Sequence, residues 1–203
     1  MSFFTRTIAE TEWTILKKND GTPGDIQMRG AVVIPKFSNF DQHATAANSQ
    51  GPWCPVVAIA LPPDLAETMI DLGYNVKAYI SADNPEYDKY VKRGYNTKPD
   101  KYAQADDDPV LYTECNLNFK SDYPPDVRIR MALPGMEDAP DTQYMAEDIY
   151  RLQTMNLDRV VVRIHGARNG SSKQFALKGY LNRLYATATP NDNDDYSYAF
   201  GNR

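Results

Sequence analysis

Along much of this chain apolar and polar side chains alternate with the two-residue period of half-buried strands, and only two stretches carry the wider spacing of a helix. Residues 11–17 (TEWTILK) and 26–34 (IQMRGAVVI) read as strands, and residues 19–24 (NDGTPG) between them have the turn chemistry of a hairpin. Residues 53–61 (WCPVVAIAL) form a short apolar run that predicts a buried strand. A helix is predicted directly after it over 62–72, because Leu65, Met69 and Leu72 share one face, proline opens the first turn and Gly73 follows the last. Residues 75–80, 110–119 and 127–133 read as further strands. Residues 141–155 place Met145, Ile149, Leu152 and Met155 at helical spacing behind an aspartate suited to capping, which predicts a second helix. The last pair, 159–165 (RVVVRIH) and 174–186 (QFALKGYLNRLYA), is joined by a loop containing Asn169-Gly170 and predicts a second hairpin.

Between these elements residues 35–52 turn polar and rich in Asn, Gln, Ser and Ala, a long loop carrying Phe37, Phe40 and His43. Residues 190–203 (PNDNDDYSYAFGNR) read as a mobile acidic tail outside the core. The 203 residues have room for one domain, over 1–189, and a 42% apolar content suffices for a core. Fourteen Tyr and seven Phe favour strands over a helical bundle, so the fold class expected is mainly β with one or two short helices.

Net charge is −5, so any attraction to nucleic acid has to come from how the charges are distributed. Two cysteines, Cys54 and Cys115, and the lack of a signal-peptide pattern suit a reducing cytoplasm. The longest apolar stretch, 56–61, is too short to span a bilayer, and no membrane role is expected.

The distribution is uneven. Residues 159–191 contain Arg159, Arg163, Arg168, Lys173, Lys178 and Arg183 without one Asp or Glu. Strand periodicity puts Val160, Val162 and Ile164 on one side and Arg159, Arg163 and His165, with Val161, on the other. On the partner strand it puts Phe175, Leu177, Gly179, Leu181, Arg183 and Tyr185 on one face, and Lys178 and Tyr180 on the opposite one. Gly179 is suited to a close backbone approach or to coiling of the strand.

Residues 74–102 form a second concentration, with Tyr74, Tyr79, Tyr87, Tyr90, Tyr95 and Tyr102 interleaved with Lys77, Lys89, Lys92, Arg93, Lys98 and Lys101. Single-stranded nucleic acid calls for this combination, since exposed bases stack on rings and phosphates follow cations. The plainer reading is a solvated loop, its lysines offset by Asp83, Glu86, Asp88 and Asp100. The acid-free hairpin tips the balance towards nucleic acid.

Enzyme motifs are poor. His43, His165 and two distant cysteines give no metal-ligand spacing, and no phosphate loop or nucleophile elbow occurs. Asp106-Asp107-Asp108 and Glu137-Asp138 with Asp141 leave a metal-dependent nuclease as a minor alternative. A β-rich virion structural or decoration protein is another, since it accounts for the tyrosines and prolines but not for the acid-free hairpin.

In order, VVIPKF, a buried strand, the helix closing in DLGYNVKAYI, a Tyr- and Lys-rich middle and the hairpin RVVVRIHGARNGSSKQFALKGYLNRLYA before an acidic tail resemble the small single-stranded-DNA-binding proteins of lytic bacteriophages. The resemblance implies an OB-fold, a five-stranded Greek-key barrel with extensions, which binds single-stranded DNA in replication, recombination and repair without catalysis or cofactor. It further implies a tail that contacts replication proteins, and it is compatible with a homodimer. Carried over, Tyr79, Tyr90 and Tyr95 become base-stacking candidates, with Phe175 or Tyr180 from the late hairpin, and Lys92, Arg93, Lys98, Arg163, Arg168, Lys173 and Lys178 become phosphate contacts; His165, beside Gly166, reads by itself equally as a stacking partner or a neutral edge residue. The tail departs from the pattern in being short, weakly acidic and ending in Arg203.

Overall fold

The computed structural model describes residues 8, 10–40, 54–99, 105, 108–132, 139–168 and 175–190. It is mainly β. The strands are β1 (Glu12–Lys17), β2 (Pro23–Ala31), β3 (Val56–Ala60), β4 (Val76–Ile80), β5 (Asn96–Pro99), β6 (Val110–Asn116), β7 (Asp126–Met131), β8 (Thr142–Gln143), β9 (Met155–Arg168) and β10 (Leu177–Pro190). Among the described residues the short helices α1 (Pro63–Asp71) and α2 (Tyr87–Arg93) flank β4, and 3-10 turns occur at Pro35–Phe37 and Ile149–Thr154. Among the described residues no helix is long and apolar enough to cross a membrane.

All ten strands belong to one curled, mixed sheet that forms a half-barrel. Its main path runs β1-β2-β9-β10-β6-β4-β5, with β3 added on β6, and β7 and then β8 added on β10. The two hairpins expected from the sequence are present, β1 with β2 and β9 with β10, both antiparallel. β10 also pairs in parallel with β6 through Gly179 and Tyr180, and with β7 from Arg183 to Ala188. Beyond β2 the chain reaches back to β3 through isolated bridges, Val33 to Ile59 and Asn39 to Val56.

The concave face holds the main core. Ile26, Met28, Val57, Ile59, Cys115, Val162, Ile164, Leu181 and Leu184 are all buried in it. α1 covers it with Leu65 and Met69, as the helical spacing predicts. Each such side chain contributes about 1.5–3 kcal/mol by leaving water. Trp13 Nε1 donates to Asp64 at 3.1 Å and ties α1 to the first strand. A smaller cluster lies on the other face, where Ile34, Ala58, Ala60 and Tyr112 are buried beneath Phe37 and Tyr79.

Two sequence expectations are corrected. Residues 141–155 do not form a helix: β8 pairs its first part with β7, the 3-10 turn buries Ile149 and Leu152, and Met155 already begins β9. The three-residue spacing of Ile149 and Leu152 fits one tight turn as well as it fits an α-helix, and backbone pairing to a distant strand decided between them. On β10 the register shifts between Leu181 and Arg183, a bulge at Asn182. The extra residue reverses the alternation, so Leu184, Ala186 and Ala188 point inward while Arg183 and Tyr185 share the outer side with Lys178 and Tyr180. The inward Val160, Val162 and Ile164 of β9 are as expected.

Gly179 is the close approach anticipated for it. It sits opposite Cys115 in the parallel pair, and a Cβ there would lie 2.9 Å from the Cys115 sulfur.

Candidate nucleic-acid interface

Residues directly opposite in a ladder share a face of the sheet, so the pairings locate the outer surface side chain by side chain. Tyr180 lies opposite His165 of β9 and Asn116 of β6, Arg183 opposite Arg163, and Tyr185 opposite Arg128 of β7. Lys178 Nζ stands 5.7 Å from the Tyr180 ring, and the Arg183 and Arg128 guanidinium groups stand 5.0 and 5.5 Å from that of Tyr185. One continuous outer surface thus combines two rings with five cationic or ionisable groups from β7, β9 and β10.

Along β6 the same face continues from Asn116 to Tyr112, roughly 13 Å at the rise of a strand. Tyr112 stacks on Phe37 with centroids 4.7 Å apart, and Phe37 meets Tyr79 at 5.0 Å. Lys36 Nζ donates to the Tyr79 hydroxyl at 3.0 Å and sits 4.8 Å from its ring, while Lys77 pairs with Glu114 beside them. The rings at this end are therefore stacked on one another and bordered by cations.

Two carboxylates, one from β2 and one from β7, enter the basic face. Asp25, 8% exposed, accepts from Arg163 Nε at 2.7 Å, His165 Nδ1 at 2.8 Å and Asn182 Nδ2 at 3.3 Å. A carboxylate only accepts, so the His165 hydrogen resides on Nδ1. Burial resists ionisation of Asp25, but hydrogen bonds from His165 and Arg163 and their charge outweigh it and hold its pKa below the ordinary 3.8. Asp126 behaves alike: desolvation is outweighed by the Tyr185 hydroxyl and Arg128, which both donate to it.

A stability prediction follows from the sign of the Asp25 shift. Because the folded value is lower than the unfolded one, the contribution is complete above about pH 3.8 and disappears as pH falls through the folded value. Asp25→Asn is therefore expected to be less stable than the wild type by about 1–3 kcal/mol at neutral pH. The difference closes in denaturant titrations carried below the ordinary carboxylate range; a constant difference at all pH values would contradict the ionised network.

The structure distributes the sequence candidates unevenly. Tyr79, Arg163, His165, Lys178 and Tyr180 share the outer face. Arg168 is exposed at the end of β9, and Phe175 is half-buried just before β10. The backbone of Lys98 pairs beside Tyr79 on β5. Lys173, the acidic residues Asp106, Asp107, Glu137 and Asp138, His43 and residues 191–203 lie outside the described residues.

Four candidates belong elsewhere. Tyr95 is 5% exposed and its hydroxyl donates to Glu67 at 2.8 Å, so it is a core side chain without a face for a base. Tyr90 packs edge-on against it, centroids 5.1 Å apart, and is half-buried against the main core. Arg93 is bound to Glu67 and to Asp71, the latter at 2.9 Å, and fastens α2 to α1. Lys92 is exposed, but on α2 with them. Glycine at 94 in the left-handed conformation (φ 101°) closes this helix, a local feature that turned the tyrosines towards α1.

Other members of the face carry no signal within their own segment. Phe37 lies in a loop-like stretch and covers the buried Tyr112, Arg128 joins through a parallel pairing of β7 with a strand more than fifty positions away, and the bulge at Asn182 puts Tyr185 on this side instead of the one that alternation predicts. Tyr123, three positions before Asp126, is 88% exposed.

Among the described residues no group of three His, Cys, Asp or Glu side chains is placed to hold a metal ion. Comparison with protein-family models, curated proteins and solved structures finds no match to this chain.

Proposed function

We propose that this protein binds single-stranded DNA with little regard to sequence and without catalysis. The observation that carries the reading is the outer sheet face itself, where Tyr180, Tyr185, Phe37 and Tyr79 lie among Arg163, Lys178, Arg183, Arg128 and Lys36. Stacking on such rings is worth about 1–3 kcal/mol per base, and every base has a face to offer. Duplex DNA hides those faces.

The strand path supports an OB-type barrel with extensions. The bent segment from β2 to Asn39, then β3, β6, β10 and β9, returns to β2 by the pairings described, and β6 and β10 are its parallel pair. Gly30, at φ 67°, sits where the first of these strands bends. In an OB-fold the second and third strands present the nucleic-acid face; β3 and β6 occupy those positions, and the Tyr112 group lies on their outer side. On this reading the protein acts in replication, recombination and repair in the cytoplasm of an infected cell, and residues 190–203 dock replication proteins.

Fluorescence anisotropy of a labelled oligo-dT and of an equal-length duplex, each at low and high salt, tests the proposal. The single strand is expected to bind more tightly, with affinity falling steeply as salt rises. Equal affinity for both ligands would overturn it.

A further inference from the structure

At the end of the sheet, where β2 and β9 meet the turn between β1 and β2 and the outer face passes into the main core, lies a cavity of about 210 Å³. Its polar walls are Lys18, Asp25, Tyr74 and His165, and Leu72 and Leu177 are among its apolar ones. Sites for drug-sized ligands run about 300–1,000 Å³, so this space suits a single heterocycle.

Two polar groups in the wall have unused capacity. Tyr74 is 3% exposed, yet its hydroxyl has no hydrogen-bond partner among the described residues. That hydroxyl stands against Gly166, another wall residue, where any side chain would collide with it. Burial, with Cys115 and Asp25 nearby, pushes its pKa up to about 12, so it stays protonated at neutral pH. A buried hydroxyl left unpaired is costly and rare. Asp25 is the second: of its four acceptor positions three are taken by Arg163, His165 and Asn182.

We infer that this cavity holds one base of the bound strand and prefers an amino-bearing base, cytosine, adenine or guanine, over thymine. The exocyclic amine donates to Asp25, the Tyr74 hydroxyl bonds a ring nitrogen or carbonyl, Leu72 and Leu177 pack on the ring, and Lys18 stands near the phosphate of the same nucleotide. Thymine brings the carbonyl O4 where cytosine and adenine bring an amine, and a carbonyl oxygen against a carboxylate is repelled. The inference rests on the single-stranded-DNA reading and adds one selective position to an otherwise tolerant surface. It also gives His165 two roles, since the imidazole borders both the cavity and the open face.

The test compares a short labelled oligo-dT with the same oligonucleotide carrying one central dC, on the full chain. The dC substitution is expected to tighten binding about tenfold, as one hydrogen bond to a charged group supplies. Tyr74→Phe should cut that preference to about threefold or less with the urea unfolding midpoint unchanged, because among the described residues it deletes a hydroxyl without a partner in the fold. Wild-type protein that binds both oligonucleotides equally would overturn the cavity assignment and leave the DNA reading standing; binding of neither would overturn both. A Tyr74→Phe variant that keeps the full preference also overturns it. Free deoxycytidine, but not thymidine, should shift the imidazole NMR signals of His165, a readout that requires no variant and whose failure counts equally against the site.

Discussion

Alanine at Lys178 and Arg183 together is expected to flatten the dependence of log affinity on log salt for oligo-dT by about 1.4, at about 0.7 for each single-strand phosphate neutralised. Affinity at low salt falls roughly 30-fold, at about 1 kcal/mol for each exposed charge contact. The two are chosen because neither is in an ion pair among the described residues, whereas Arg163 is already balanced by Asp25. Arg163→Ala alone should therefore change the slope less than either of the two singly. Arg93→Ala is the decisive control: its guanidinium links α2 to Glu67 and Asp71 of α1, so its loss lowers stability and leaves the slope intact. A slope that responds to Arg93 as it does to Lys178 would place the DNA somewhere other than the outer face.

Gly179→Ala is expected to destabilise the fold by about 1–3 kcal/mol, the usual result of inserting a methyl group into a packed core. The reason is specific to one contact, since the new Cβ meets the Cys115 sulfur at 2.9 Å, with Ile164 a further 0.7 Å away at 3.6 Å. Cys115 is fully buried and cannot swing aside. Cys115→Ala removes the obstacle, so the double variant should be more stable than the sum of the single changes predicts, with a coupling of about 0.5–3 kcal/mol. Urea unfolding of the four proteins measures this directly. Additive effects would mean that β6 and β10 do not meet at this register, and the parallel pair central to the barrel reading would go with it.

Much of the local structure was legible because its causes are local. Proline and glycine bracket α1 and its apolar residues recur at helical spacing, so no distant contact is needed to specify it. Val160, Val162 and Ile164 announce the buried side of β9 by alternation alone. The same rule failed on β10 at one residue. A bulge at Asn182 inverts every later side chain, and nothing in NRLYA distinguishes the two phases until the pairing with β9 and β7 is known.

The candidate site was legible in part for the same reason. The acid-free run from Arg159 to Asn191 is a property of sequence, but the acids that temper it, Asp25 and Asp126, arrive from β2 and β7. The tyrosines between 74 and 102 looked alike as letters. One of them, Tyr79, stands on the outer face, and Tyr74, Tyr90 and Tyr95 face the main core, because burial is assigned by the layer a strand or helix occupies.

What the sequence by itself determined is the strand-rich character, the first helix, both hairpins and the excess of positive charge in the last of them, all set by periodicity, turn residues and composition within short windows. Tertiary structure alone decided which strands run side by side. That choice brought Arg128 next to Tyr185 and Phe37 next to Tyr112, set Asp25 under Arg163 and His165, and opened the cavity beside Tyr74. Pairing between distant strands is selected by the packing of the whole core, and a face assembled from five strands has no signature in any one of them.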